Sequence, residues 1–189
     1  MATKVNDLRP GMALNMDGKI VVVVNTDHVK PGKGPAYVQA KMKDIKGTGV
    51  IERRFNSSDT VDQINVDRRQ MEFLFSDPSG ATFMDLESYD QSVIDAEILG
   101  DALLYVKPNT EITALCYEGN PITIELPATV ELEITETTPQ VKGATQTNQL
   151  KEAECETGLK TRVPPFIETG ELVRISTKDG SYQSRAKGD

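Results

Sequence analysis

The sequence contains no tryptophan, and aromatic residues reach only 5% of its 189 positions. That is too few for one thick core, and several small cores are expected instead. A Ser/His/Asp or Cys/His site would have to use the single histidine, His28, which lies beside a Pro/Gly loop with no nucleophile-elbow sequence to serve. The two cysteines, Cys116 and Cys155, stand 39 positions apart, which excludes a clustered zinc motif. Phosphate loops are missing too. Gly32-Lys33-Gly34 lacks the upstream glycine of a Walker A motif, and Gly47-Thr48-Gly49 is followed by Glu52 where a dinucleotide fingerprint needs its third glycine. No run approaches the ~18–20 apolar residues of a membrane helix, and Met1-Ala2-Thr3-Lys4-Val5-Asn6-Asp7 carries no apolar signal segment. These absences point to a cytoplasmic protein that is not an enzyme, needs no cofactor or metal, and has no membrane partner.

Charge is present but unevenly placed. Residues 1–64 hold ten Lys/Arg against seven Asp/Glu, residues 65–127 three against twelve, and residues 128–189 eight against ten. The first segment, at net +3, would approach phosphate, and the middle one, at net −9, would be repelled by it. From charge alone an ordinary acidic cytosolic protein is favoured over a nucleic-acid wrapper. A protein that meets RNA only at chosen points fits both.

Strands dominate the pattern. Lys19 to Asn25 is a β-branched run after Asp17-Gly18, and Ala36, Val38, Ala40 and Met42 alternate with Tyr37, Gln39, Lys41 and Lys43 as on a half-buried strand. Gln70–Phe75 and Ala81–Met84 flank Asp77-Pro78-Ser79-Gly80, a hairpin signal. Val93, Ile94, Ile98 and Leu103 recur near helical spacing and predict the one helix, packed over a barrel end. Strands resume over Ile112–Tyr117, where Cys116 reads as a small buried hydrophobe, then over Ile122–Leu126 and the alternating Val130–Thr135. Breaks near 64 and 127 predict an all-β chain of three β-barrel domains in series, 1–64, 65–127 and 128–189, forming a monomer.

One loop stands out. His28-Val29-Lys30-Pro31-Gly32-Lys33-Gly34-Pro35 joins two strands of the basic segment and sets a lysine between two glycines with prolines at the shoulders. Glycine admits positive φ and leaves Lys33 without bulky neighbours, while proline restricts the shoulders, so an exposed, slender, cationic tip is expected. A hairpin loop bearing a solubilising lysine would look the same. Tyr182 and Arg185, after a Lys178-Asp179-Gly180 turn, suit stacking and phosphate contact on a strand edge, and an ordinary terminal strand fits them equally.

At these residues the sequence resembles bacterial elongation factor P. Asn6-Asp7-Leu8-Arg9-Pro10-Gly11, the Lys30-Pro31-Gly32-Lys33-Gly34 loop with its two strands, Pro127 with Val130–Ile134, Val141-Lys142-Gly143 and Tyr182-Gln183-Ser184-Arg185 carry the likeness. Lys151, Ala153, Gly158, Val163, Pro164, Ile167 and Gly170 meet the family's C-terminal signature, with Thr161 departing at an aliphatic position. Ala144 stands where the family often has Asp, and Pro35 stiffens the loop beyond many members. The resemblance implies an SH3-like (KOW-type) N-terminal domain followed by two OB-fold domains in an L-shaped, tRNA-like outline. It also implies binding between the peptidyl and exit sites of the ribosome, against peptidyl-tRNA and ribosomal RNA, to relieve stalling at consecutive prolines. Lys33 would point toward the peptidyl-transferase centre, often after a lysine-modifying enzyme extends it. Gly143 and Thr145 join Tyr182 and Arg185 as RNA or ribosome contact candidates. Such a factor supplies no acid, base or nucleophile and lowers the barrier by orienting a poorly reactive proline partner. The alternatives are the elongation factor P-like paralogue, which often lacks the Lys-Pro-Gly-Lys-Gly loop, and a β-barrel RNA-binding or assembly protein with no role in peptidyl transfer.

Overall fold

The structure is a computed structural model that describes residues 1–47, 49–139 and 149–186. Its first sheet is built from β1 (Ala2–Lys4), β2 (Ala13–Met16), β3 (Lys19–Val29), β4 (Tyr37–Asp44), β5 (Val50–Asn56) and β6 (Thr60–Gln63), in the order β1-β6-β2-β3-β4-β5. Asp17 and Gly18 join β2 to β3 with φ of +55° and +84°, the left-handed pair that a two-residue hairpin turn demands. The β-branched run from Ile20 to Val24 then keeps β3 extended. Val21, Val23, Val38, Ala40, Met42 and Phe55 close a core inside the curled sheet. Fully burying a side chain of valine or methionine size contributes ~1.5–3 kcal/mol.

The expected alternation along β4 holds at Val38, Ala40 and Met42, which are buried, and at Gln39 and Lys41, which are exposed. It fails at Lys43. This lysine points away from the first core but is only 4% exposed, because the second sheet's elements cover it. Periodicity within one strand reports which face a residue occupies and is silent on what lies against that face.

The second sheet comprises β7 (Asp67–Asp77), β8 (Gly80–Asp85), β9 (Gln91–Asp95), β10 (Thr110–Tyr117) and β11 (Asn120–Glu125), ordered β11-β10-β7-β8-β9. The anticipated β7–β8 hairpin is present. Its turn is held by Asp77, whose Oδ1 accepts the N–H groups of Ser79 at 2.8 Å and Gly80 at 3.2 Å. The expected helix through Val93 and Ile94 is corrected. Both residues lie on β9, where Ile94 pairs with Ala81 and is 2% exposed while Val93 is 64% exposed, a period of two. Among the described residues only α1 (Ala96–Leu99) is α-helical, capped by Asp95, and a 3-10 segment, Gly100–Tyr105, follows. Cross-strand pairing decides this stretch, and four apolar residues at helical spacing do not outweigh it. Ile98 from α1 joins an apolar cluster with Ala13 and Val22 of the first sheet and Ile122 of the second.

The third sheet is β12 (Thr129–Thr137), β13 (Lys151–Cys155), β14 (Lys160–Val163), β15 (Leu172–Ser176) and β16 (Tyr182–Arg185), ordered β14-β13-β12-β15-β16. Leu132, Ile134, Val163, Ile167, Val173 and Ile175 are wholly buried in its core. Cys116 and Cys155 are both buried and free, as small hydrophobes. Burial raises both thiol pKa values, that of Cys155 to about 11. The chain forms two compact units. One holds Met1–Gly100 with Pro108–Glu125, and the other holds Asp101–Lys107 with Leu126–Asp189.

Candidate functional site

β3 and β4 are paired up to the loop, Val29 opposite Tyr37, with one register shift farther down between Val23 and Asn25, so the residues between them project as a loop from the end of the hairpin. Lys30, Pro31, Gly32, Lys33, Gly34 and Pro35 are all exposed. Gly34 has φ +105°, a backbone region that side chains rarely adopt, whereas a Cβ placed on it would meet nothing closer than Pro31 Cγ at 4.0 Å. Gly34 is therefore set by conformation. Gly32 lies outside the positive-φ region and has no atom within 4 Å of its would-be Cβ, so its smallness leaves Lys33 uncrowded without any demand from the backbone. Among the described residues no acidic or polar group holds the Lys33 ammonium.

The base of the loop is stiffer. The Ala36 carbonyl accepts the Ser57 N–H at 3.2 Å, tying the end of the loop to the turn after β5. The Arg54 guanidinium carbon lies 3.6 Å from the Tyr37 ring centroid, a stacked cation–π contact across β4 and β5. Tyr37 opposes Asn56 and Gln39 opposes Arg54 in the ladder, so this contact is a diagonal between neighbouring rows. The sequence reading missed Tyr37 and Arg54 because only strand register brings them together. Arg54, Lys30 and Lys33 outnumber Asp27 at the loop end of the first sheet, while Lys41 lies farther along β4, opposite Glu52.

Tyr182 and Arg185 are three apart on β16, a spacing that puts residues of a regular strand on opposite faces. A register shift beside Arg174 and Ile175 changes this, so Tyr182 pairs with Ile175 and Arg185 with Val173. Ile175 and Val173 both face the core, and the two candidates share that side. Tyr182 packs partly buried against the core. Arg185 is engaged within the chain. Its Nε and Nη2 donate to Glu171 at 3.3 and 3.2 Å, Nη2 also donates to the Phe166 carbonyl at 3.2 Å, and Cζ lies 4.6 Å from the Phe166 ring centroid. Gly143 and Thr145 lie outside the described residues.

Among the described residues no group of three or more His, Cys, Asp and Glu side chains is placed to hold a metal ion, and no helix is long and apolar enough to cross a membrane.

Three family descriptions match the chain in series. They are "Elongation factor P (EF-P) KOW-like domain" over residues 4–61, "Elongation factor P (EF-P) OB domain" over 66–124 and "Elongation factor P, C-terminal" over 130–185. Among curated proteins, the chain is 46% identical to an elongation factor P of Nocardioides sp., covering 100% of both chains. It is 45% identical to the elongation factor P of Moorella thermoacetica, covering 96% of this chain and 98% of the other. A solved structure, eukaryotic translation initiation factor 5A from Methanococcus jannaschii, is 21% identical with TM-score 0.37, covering 66% of this chain and 92% of that one. That overlap is too low to carry weight.

Proposed function

The chain belongs to the elongation factor P family of translation elongation factors, and on that premise we propose that it binds the ribosome between the peptidyl and exit sites and stimulates peptide-bond formation at consecutive prolines. The observation that carries this reading is Lys33, exposed between Gly32 and Gly34 beyond a hairpin paired without a break from Asn25 to Val29, with no intramolecular partner among the described residues. A cation presented in this way is free to donate to phosphate or ribose at the acceptor end of peptidyl-tRNA. The contribution to rate is positional: a held peptidyl-tRNA end meets the incoming proline in a reactive geometry, and no proton transfer by the protein is required.

The parts of the chain divide this task. Residues 1–64 present Lys33, with Lys30, Pro31 and the Tyr37–Arg54 contact shaping the approach to RNA. Residues 65–127 form an acidic body that avoids phosphate. Residues 128–189 add contacts through the β16 edge, where Arg185 must exchange Glu171 for a ribosomal phosphate. The uncrowded amine of Lys33 is also open to a lysine-modifying enzyme, and the intact mass of protein from its native host reads any extension directly.

The test is reconstituted synthesis on a message with a proline run, with a proline-free message as control. Lys33→Ala is expected to abolish the stimulation on the proline run alone, while stability stays within ~0.5 kcal/mol of the parent, as for other exposed side chains. Lys33→Arg keeps the charge but not the primary amine. Retained activity would make charge at the tip sufficient, and lost activity would point to the extended or slimmer side chain. If Lys33→Ala performs like the parent on the proline run, this function for the loop is wrong.

A further inference from the structure

Lys43 is the most deeply buried charged residue among those described, at 4% exposure. It occupies a cross-strand row on the outer face of the first sheet, Ala13 opposite Val22 and Val22 opposite Lys43. Ala13 and Val22 pack with Ile122, Ile98 and Tyr117, which belong to the second sheet and α1. The row is thus the seam between the two sheets. Within it the Lys43 Nζ lies 3.1 Å from Glu97 Oε2.

Glu97 is itself held in place. Asp95 Oδ1 accepts the Glu97 N–H at 2.8 Å, fixing the first turn of α1. β9, which leads into that turn, lies so close to Gly80 that a Cβ there would fall 2.3 Å from the Ile94 carbonyl oxygen. An apolar residue at 43 would serve stability as well or better, because burying an ion is costly and its partner only offsets that cost. What the pair adds is direction. Apolar surfaces keep most of their contact when they slide, whereas sliding would part the buried ammonium from the carboxylate that offsets its burial.

We propose that the Lys43–Glu97 pair is a positioning device that fixes the angle of the β3–β4 hairpin, and hence of Lys33, against the second sheet. Lys43 sits on the strand that begins at Tyr37, directly after the Lys33 loop, and every residue from Val38 to Lys43 on β4 is paired to β5. Over those six residues, at ~3.3 Å each, the hairpin is a lever of ~20 Å, so a ~10° tilt at the seam moves its end by ~3.5 Å. A misplacement of ~1 Å can cost an oriented reaction ~100-fold. Lys43 and Glu97 are therefore positioning residues for the loop, an inference that rests on the role of Lys33 given above.

The experiment measures the angle and the activity separately. Spin labels at His28→Cys, beside the loop, and Ser76→Cys, on exposed β7, report the distance between hairpin and second sheet, with Cys116 and Cys155 buried away from the reagent. The parental pair should give one narrow distance peak. Lys43→Met should keep or raise the melting temperature, broaden that peak, and lower proline-run synthesis by ~10-fold or more with the proline-free message unchanged. Glu97→Gln, at a half-exposed side chain, should broaden it similarly and carries the test if the methionine variant does not fold. A narrow peak in the variants overturns the proposal, and so does a broadened peak with parental synthesis. If the parent itself gives no stimulation, the role of Lys33 fails, and the peak width alone then decides whether the pair sets the angle.

Discussion

Gly32 and Gly34 flank the same lysine for different reasons, and substitution should separate them. Gly34→Ala places a side chain at φ +105°, where strain of ~1–2 kcal/mol is expected. The loop relieves that strain by changing shape, so Gly34→Ala should impair proline-run synthesis with a fall in melting temperature of a few degrees at most. Gly32→Ala, with open space and no positive φ, should leave melting unchanged and reduce synthesis less. Equal activity of the two alanine variants would sink the distinction. Composition and neighbours made the loop legible in the sequence, but which glycine the backbone requires depends on torsion angles that spacing does not encode. Arg185 teaches a related lesson. Its type suited a phosphate contact, yet its partner Glu171 lies 14 positions back and meets it only through the turn between β15 and β16. Glu171→Ala should cost little stability, as exposed ion pairs contribute ~0–1 kcal/mol. It should raise ribosome affinity measured by co-sedimentation at low salt, and unchanged affinity there would remove Arg185 from the contact set.

In the second and third sheets, carboxylates at turns and one on a strand are held below their ordinary pKa range. The Ser79 hydroxyl and N–H hold the Asp77 carboxyl below its ordinary range, and Ser181 does the same for Asp179. The N–H groups of Ser88 and Glu87, with Arg69 beside them, lower Asp85, and Arg68 lowers Glu125. Each group is ionised more readily in the folded chain than in the unfolded one. The stability it adds is therefore complete above the unfolded carboxylate values near ~4 and is lost as pH falls through the lower folded values. Thermal melts should show a midpoint insensitive to these groups between ~pH 7 and ~pH 5 and falling below that. Asp85→Asn should start lower and lose less on acidification, and an unaltered acid slope would contradict the assignment. The Asp77-Pro78-Ser79-Gly80 turn was readable because its chemistry is confined to four neighbouring residues. The β9–α1 stretch was not, since pairing to β8 and the cap at Asp95 override an apolar spacing that looks helical.

Of the three segments only residues 1–64 carry a net positive charge, and there Lys30 and Lys33 are exposed on the loop beside the Tyr37–Arg54 contact. Binding through this region should weaken with salt, and Lys30→Ala should reduce the slope of log affinity against log salt by ~1 if it contacts one phosphate. An unchanged slope would place Lys30 away from RNA. Segment charge and strand-rich patterning were open to sequence reading, whereas the covering of Lys43 was not, because burial there depends on a second sheet whose approach no local pattern records. The segment Asp101–Lys107 has a consequence of another kind. It is encoded inside the second sheet, between α1 and β10, yet it packs with the third, where Leu104 and Tyr105 join that core and the Leu104 carbonyl accepts the Thr157 hydroxyl across 53 positions. At ~5–20 residues per second, a chain emerging from a ribosome holds Leu104 and Tyr105 uncovered for ~3–10 s before those partners are even made. The core of the third sheet is thus completed only seconds after its first contributors have been synthesised.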